Sequence, residues 1–251
     1  MKHSNFSFFI WGYMPRNRLD EHNSTEFFKR IFRGWIMTNM QKSGVIREYS
    51  DSLIQKGYFN VTTSMLPDSP TIEKLGVVLS LIGSTTFGFE GDEGKDCPQF
   101  VREGCISLNM ITQDDVDASD WKKKINGYLR IYELFAEIFN PIHCLGHRDY
   151  NKWWDDSFEI PIPEARIWPY NIFGLQDYNP VLKDRLLSFA DNHKDEWTLK
   201  ILKDRTAILH INDLTTTEDK IRLDVTRAIL GEADTVLLPR RCLPYIKESV
   251  L

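Results

Sequence analysis

Two histidines and an aspartate, His143, His147 and Asp149, form the grouping in this sequence that most resembles a metal site. On a helix, histidines four residues apart would share a face and could bind one ion, but Pro141 and Gly146 oppose a helix there. On a strand they would lie about 13 Å apart at ~3.3 Å per residue, too far to share an ion. We therefore expect surface or sheet-edge polar residues, no metal and no other cofactor. His147 with Asp149 stays open as the site of a metal-assisted hydrolase.

Nucleophilic catalysis leaves no recognisable signature in the chain. The sequence contains no G-x-S-x-G elbow, no H-E-x-x-H motif and no deaminase zinc pattern. Cys144 adjoins His143, but neighbours in a strand point to opposite faces, so Cys144 is predicted to be a core residue. The four cysteines lack C-x-x-C spacing, which indicates neither a zinc knuckle nor a disulfide framework. We expect no catalytic residue and no enzyme; an enzyme built from scattered residues is the alternative.

The distribution of charge is more informative than any motif. Residues 90–120 contain nine acidic and two basic residues, a balance of −7, whereas the whole chain carries −5. Residues 149–164 form a second acidic segment, which holds two adjacent tryptophans. Aromatic anchors among charges are typical of a protein-binding surface, and the alternative is a solvated loop with one tryptophan in the core. The predicted partner-binding residues are Glu90, Asp92, Glu93, Asp96, Trp153, Trp154, Asp155 and Asp156.

Composition excludes two classes of partner. A net charge of −5 argues against a nucleic-acid binder that relies on a basic surface. No stretch approaches the ~18 to 20 apolar residues of a membrane span. The apolar run near the N-terminus is short and is not followed by a small-residue cleavage site. We expect a cytoplasmic protein with no membrane and no nucleic-acid partner.

The elements that would position these residues centre on one long amphipathic helix, residues 121–139. Its large apolar residues recur with helical spacing, at Trp121, Ile125, Leu129, Tyr132, Phe135 and Phe139. Asn140 and Pro141 are predicted to end it. Strands are expected on either side, at residues 105–110 and 142–145. The helix needs a sheet to cover its aromatic stripe.

The remaining pattern completes an α+β fold, a mixed or antiparallel sheet packed against several amphipathic helices. Asn23 and Glu26 form a capping box for an early helix, and Gly231 ends a late one. The predicted strands are residues 6–13, 58–65, 85–90, 197–202, 206–211 and 236–238, with 197–211 as a hairpin. The predicted helices are residues 71–82 and 215–230, besides the two already named. The almost continuous apolar run within residues 71–82 leaves a buried strand as the alternative there. Residues 1–251 are expected to form a single domain; two similar halves with a boundary near residue 100 are the alternative.

Residues 167–174, with the sequence IWPYNIFG, are followed by the hairpin, a helix and a closing Leu-Leu-Pro. In this respect the chain resembles immunity proteins of bacterial polymorphic-toxin and type VI secretion systems, several of which carry a comparable aromatic-x-Asn-x-Phe-Gly turn. The resemblance covers mainly residues 105–240. The acidic insertion at residues 88–103 departs from the pattern and leaves the family and the toxin class open.

The resemblance implies a non-enzymatic, cytoplasmic protein, a monomer or homodimer, that binds one cognate protein toxin and blocks its active site. Trp168, Asn171, Phe173 and Gly174 would then be structural residues that shape a turn. Two other functions stay open, the hydrolase near His147 and Asp149, and an acidic regulatory or structural subunit that docks a basic partner.

Overall fold

The computed structural model describes residues 7–14, 18, 22–23, 26–27, 30, 58–62, 77–84, 104–112, 118–147, 167–214 and 223–231. The chain divides into two compact units, Met1–Phe139 and Asn140–Leu251. Among the described residues, each unit contributes four antiparallel strands. The expectation of a single domain, and the alternative boundary near residue 100, stay predictions.

In the first unit the strand order is β2-β3-β4-β1. The strands are β1 (Ser7–Met14), β2 (Tyr58–Thr62), β3 (Val77–Ser84) and β4 (Gly104–Thr112). Each pairs with its neighbour in antiparallel register. The strands predicted at residues 6–13, 58–65 and 105–110 are thereby confirmed to within a few residues.

The predicted helix at residues 71–82 is wrong where the structure describes it, because Val77–Ser84 is strand β3. This strand is hydrogen-bonded on both sides, to β2 and to β4. A short, almost continuous apolar run is compatible with a buried strand or a buried helix, because it has no period that distinguishes the two. The predicted strand at residues 85–90 lies outside the described residues.

Helix α1 (Ala118–Phe139) confirms the central prediction. On its apolar face Tyr132, Phe135 and Phe139 are fully buried. Phe27, on the early helix, packs against Phe135 and Phe139 with ring centroids 6.1 and 5.5 Å apart. This aromatic group is therefore a core, as its spacing predicted.

The early helix is described at only five residues, His22, Asn23, Glu26, Phe27 and Arg30. Asn23 is itself helical, so the helix begins before the predicted cap. Arg30 lies 2.7 Å from Glu26 on the same helix and 3.4 Å from Glu137 on α1. These ion pairs are partly exposed and act at the margin of the aromatic core.

In the second unit the strand order is β5-β6-β8-β7. The strands are β5 (His143–His147), β6 (Tyr170–Gly174), β7 (Trp197–Leu202) and β8 (Thr206–Ile211). The β7–β8 hairpin has the predicted bounds. Lys203 and Asp204 in its turn have φ of 48° and 54°, the left-handed pair that a tight hairpin turn requires.

Two helices cover this sheet, α2 (Val181–Asn192) and α3 (Leu223–Leu230). From α2, Leu182, Leu186 and Phe189 are buried at four- and three-residue spacing, so this helix packs through one face. Gly231 ends α3 with φ 103°, as predicted, and residues 215–222 of that prediction lie outside the described residues. Antiparallel strands with amphipathic helices confirm the α+β class.

Candidate functional site

Asn171 organises the start of β6. Its Oδ1 accepts a hydrogen bond from the Trp168 backbone N–H at 2.8 Å, and its Nδ2 donates to the Trp168 carbonyl at 2.6 Å. Nδ2 also donates to the Leu209 carbonyl of β8 at 3.2 Å. The side chain is fully buried, so these bonds satisfy backbone groups that water cannot reach. The predicted structural role of Asn171 is confirmed.

Gly174, at the other end of β6, is required by a close approach of backbone. A Cβ at this position would lie 2.5 Å from the Pro141 carbonyl oxygen and 2.9 Å from Asp177 Oδ2. The Gly174 N–H donates to the Ile142 carbonyl at 2.9 Å, which fixes the two segments side by side. A side chain at residue 174 therefore requires this backbone contact to open.

His143 and Tyr178 form a buried, hydrogen-bonded pair in the second unit. Nδ1 of His143 lies 2.6 Å from the Tyr178 hydroxyl oxygen. The two side chains are 0% and 1% exposed. Nε2 of His143 has no hydrogen-bond partner among the described residues. The Phe173 ring packs against both side chains. Its centroid lies 5.0 Å from that of the His143 ring and 5.8 Å from that of the Tyr178 ring.

Burial lowers the pKa of His143 to about 3, because the charged imidazolium loses its hydration. The imidazole is therefore neutral at physiological pH and carries one available lone pair or N–H at Nε2. A neutral imidazole can act as a general base only when a substrate proton comes within hydrogen-bond reach. With both side chains buried, this arrangement holds the core together and offers no open reaction site.

The expectation that His143 is a surface or sheet-edge polar residue is wrong, because its side chain is fully buried. Its neighbour Cys144 is a free thiol that is also fully buried, which confirms the core prediction. Adjacent residues of a strand point to opposite faces, so β5 is covered on both faces at this point. Hydrogen bonding to Tyr178 offsets part of the cost of burying the imidazole.

Asn140, which lies shortly before His143 in the chain, forms a second buried polar contact. Asn140 follows α1 with φ 42°, a left-handed conformation that ends a helix, as predicted. The Thr206 hydroxyl donates to Asn140 Oδ1 at 2.8 Å, and both side chains are buried. This bond ties the start of the second unit to the beginning of β8.

All of the predicted partner-binding residues lie outside the described residues. They are Glu90, Asp92, Glu93, Asp96, Trp153, Trp154, Asp155 and Asp156. His147 is the last residue of β5, and Asp149 lies outside the described residues. The acidic binding surface and the alternative hydrolase site therefore both stay predictions.

Within the residues that the structure describes, no three side chains of His, Cys, Asp or Glu lie close enough to hold a metal ion. None of the helices in that part of the chain has both the length and the apolar character of a membrane crossing.

Comparison with known proteins gives little. No protein-family model matches the chain, and no curated protein is significantly similar to it in sequence. One solved structure, Pseudomonas aeruginosa T6SS protein PA0821, is similar with a TM-score of 0.45 and 8% identity. The similarity covers 92% of this chain and 73% of that one. At this level neither a shared fold nor a shared function follows.

Sequence reasoning missed two features of this region. Helix α2 has a visible signal, the spacing of Leu182, Leu186 and Phe189 after Pro180. The contact between His143 and Tyr178 has none, because the residues are 35 positions apart and only the packing of β5 beside β6 brings them together.

Proposed function

We propose that this protein is an immunity protein that neutralises one cognate bacterial toxin by stoichiometric binding. The observation that carries the proposal is the charge of −7 within residues 90–120, larger than that of the whole chain. A surface of this kind speeds the encounter with a positively charged cleft. Toxins that act on nucleic acids or nucleotides need such a cleft, because their substrates are anionic.

The tryptophans supply the second part of the proposed interface. Trp153 and Trp154 lie among acidic residues, and a buried aromatic anchor slows dissociation more than it speeds association. The sequence contains no recognisable catalytic motif, which agrees with a protein that occludes the toxin's active site rather than one that turns over a substrate. The resemblance of residues 167–174 to the immunity-protein turn adds support, since Asn171 there serves the scaffold.

The first experiment is co-expression with the products of the neighbouring reading frames in a bacterial host. One of them should arrest growth alone and be neutralised by this chain. The two purified proteins should form a complex with equal numbers of each. No toxic neighbour, or protection at far below equimolar amounts, would contradict the proposal, and the second result would indicate an enzyme.

The second experiment separates charge from anchor. The triple variant Asp92→Lys, Glu93→Lys and Asp96→Lys should lower the association rate by about tenfold at low salt and reduce its salt dependence. The double variant Trp153→Ala and Trp154→Ala should instead raise the dissociation rate, by ~2 kcal/mol or more in affinity. Surface plasmon resonance with the toxin measures both rates.

A matched control is available on a described surface. Asp184, Asp191 and Asp195 are exposed and belong to neither acidic segment, so replacing all three by lysine makes the same change in net charge at other positions. This control should change the association rate much less than the triple variant. Equal effects of the two triple variants would show that only total charge matters. Melting temperatures exclude misfolding, because one of the two tryptophans is a candidate core residue.

A further inference from the structure

His143 and Tyr178 connect two segments of the second unit. His143 is the first residue of β5, and Tyr178 follows the short 3-10 helix Leu175–Asp177 that leads to α2. Their hydrogen bond of 2.6 Å and the Phe173 ring that contacts both side chains are buried. The position of the turn before α2 thus depends on an imidazole.

Protons at this site can be counted. A neutral imidazole has one N–H and one lone pair. If Nδ1–H donates to Tyr178, Nε2 is a bare lone pair; if the Tyr178 hydroxyl donates to Nδ1, Nε2 carries the hydrogen. Adding a proton makes both nitrogens donors. Nε2–H then carries part of a positive charge with no acceptor among the described residues. This state is costly in a buried site.

The surroundings do not compensate that charge. Tyr178 is the titratable residue that contacts His143 directly, Asp177 precedes Tyr178 in the chain, and Cys144 follows His143 on β5. The Asp177 Oδ2 atom lies beside Gly174, 2.9 Å from where a Cβ would be. β6 contributes Phe173, which carries no charge. Burial is the dominant cause of the lowered pKa of His143, with no opposing ion pair.

We propose that His143 and Tyr178 form an acid-sensitive lock in the second unit. While the imidazole is neutral, the lock holds the start of β5 against the turn before α2. Protonation of the imidazole favours a state in which β5 separates from that turn and the imidazolium reaches water. This property is independent of the toxin-binding proposal, because it concerns the buried scaffold and not the acidic segments.

The sign of the pH dependence follows from proton linkage. The folded state lowers the pKa of His143 from 6.5 to about 3, so the unfolded chain binds the proton more readily. Stability from this group is complete above pH 6.5 and decreases progressively as the pH falls toward 3. Between pH 7 and pH 5, His143 alone should raise the unfolding constant by about 25-fold.

Urea unfolding of the full chain at pH 7 and pH 5 tests the lock. The variant His143→Phe removes the titrating group, so its unfolding constant should rise about 25-fold less than that of the wild type over this interval. The control is His193→Gln, which removes an exposed imidazole that is not part of the contact between His143 and Tyr178. Equal pH dependence of wild type and His143→Phe would overturn the proposal.

A second measurement protects the test against a variant that does not fold. In the wild-type protein, the His143 ring signals can be assigned by NMR through their proximity to Phe173 and Tyr178. They should not titrate between pH 7 and pH 5 while the protein stays folded. A His143 midpoint between pH 6 and pH 7 in the folded protein would exclude the lock, whatever the variant does.

Discussion

Two buried polar side chains on neighbouring strands of the second unit, Asn171 and His143, are stabilised to different degrees. Asn171 forms three hydrogen bonds, to the Trp168 N–H, the Trp168 carbonyl and the Leu209 carbonyl. His143 forms a hydrogen bond to Tyr178 through Nδ1, whereas its Nε2 atom has no hydrogen-bond partner among the described residues. The strands align Asn171 with Leu145 and His143 with Phe173, so both side chains belong to the same pair of strands.

The difference separates two uses of a buried polar group. A fully bonded, non-titrating amide specifies one backbone geometry at every pH. A half-bonded imidazole specifies its geometry only while it stays neutral. The segment at residues 167–174 therefore serves as permanent scaffold, whereas the contact beside it makes the same scaffold sensitive to acid.

The largest effect is expected from an apolar benchmark, Phe135→Ala in the first unit. This side chain is fully buried against Phe27 and Phe139. Its loss should lower the free energy of unfolding by roughly 3 to 5 kcal/mol, since it removes apolar contact and leaves a cavity. Urea denaturation at pH 7 measures the change. An unchanged midpoint would show that the packing face of α1 is assigned wrongly.

Asn171→Leu should come next, with a loss of roughly 3 kcal/mol, because the buried Trp168 and Leu209 backbone groups lose their partners. The substitution keeps the approximate volume of the side chain, so packing changes less than bonding. The same denaturation assay applies, and the loss should be equal at pH 7 and pH 5. A loss below about 0.5 kcal/mol would remove the contrast with His143.

Tyr178→Phe should have a smaller effect, roughly 1 to 2 kcal/mol at pH 7, since it deletes one hydroxyl and leaves His143 Nδ1 without that bond. The ring contacts with Phe173 are retained. Thermal unfolding followed by circular dichroism is sufficient to detect it. A variant more stable than the wild type would show that the Tyr178 hydroxyl destabilises the folded state and does not stabilise the contact with His143.

The smallest effect is expected from Lys183→Ala. Lys183 Nζ lies 3.2 Å from Asp204 Oδ1, but the two side chains are 40% and 87% exposed. Water screens such a pair, so the loss should stay below about 0.5 kcal/mol. This variant calibrates the assay for a contact that is polar but not buried. A loss as large as that of Tyr178→Phe would show that burial is not what distinguishes these contacts.

Local pattern was sufficient for elements whose environment matches a simple period. The helical spacing of aromatic residues predicted α1, which buries that face. Two strand-like runs separated by Lys203, Asp204 and Arg205 predicted the β7–β8 hairpin. Residues 77–82 were predicted wrongly as helix, since their almost continuous apolar run has no period that distinguishes a strand from a helix. Local pattern is insufficient where an element has no clear period.

The buried polar contacts were less predictable than the elements. Asn171 was predicted as a turn-shaping residue from its motif, but its bond to Leu209 depends on β8 lying beside β6. The contact of His143 with Tyr178 depends on a residue that follows both β6 and the short 3-10 helix in the chain. Such contacts are set by strand order, and strand order is not written in any single segment.

Gly174 limits what related sequences can contain. A methyl carbon at this position would lie 2.5 Å from the Pro141 carbonyl oxygen, which is too close unless the backbone shifts. A homologue with any other residue there must have moved its Pro141 segment away. Asn171 and Gly174, separated by two apolar residues, thus offer a reference for aligning distant relatives. Such a reference is useful where the overall identity is too low to guide the alignment.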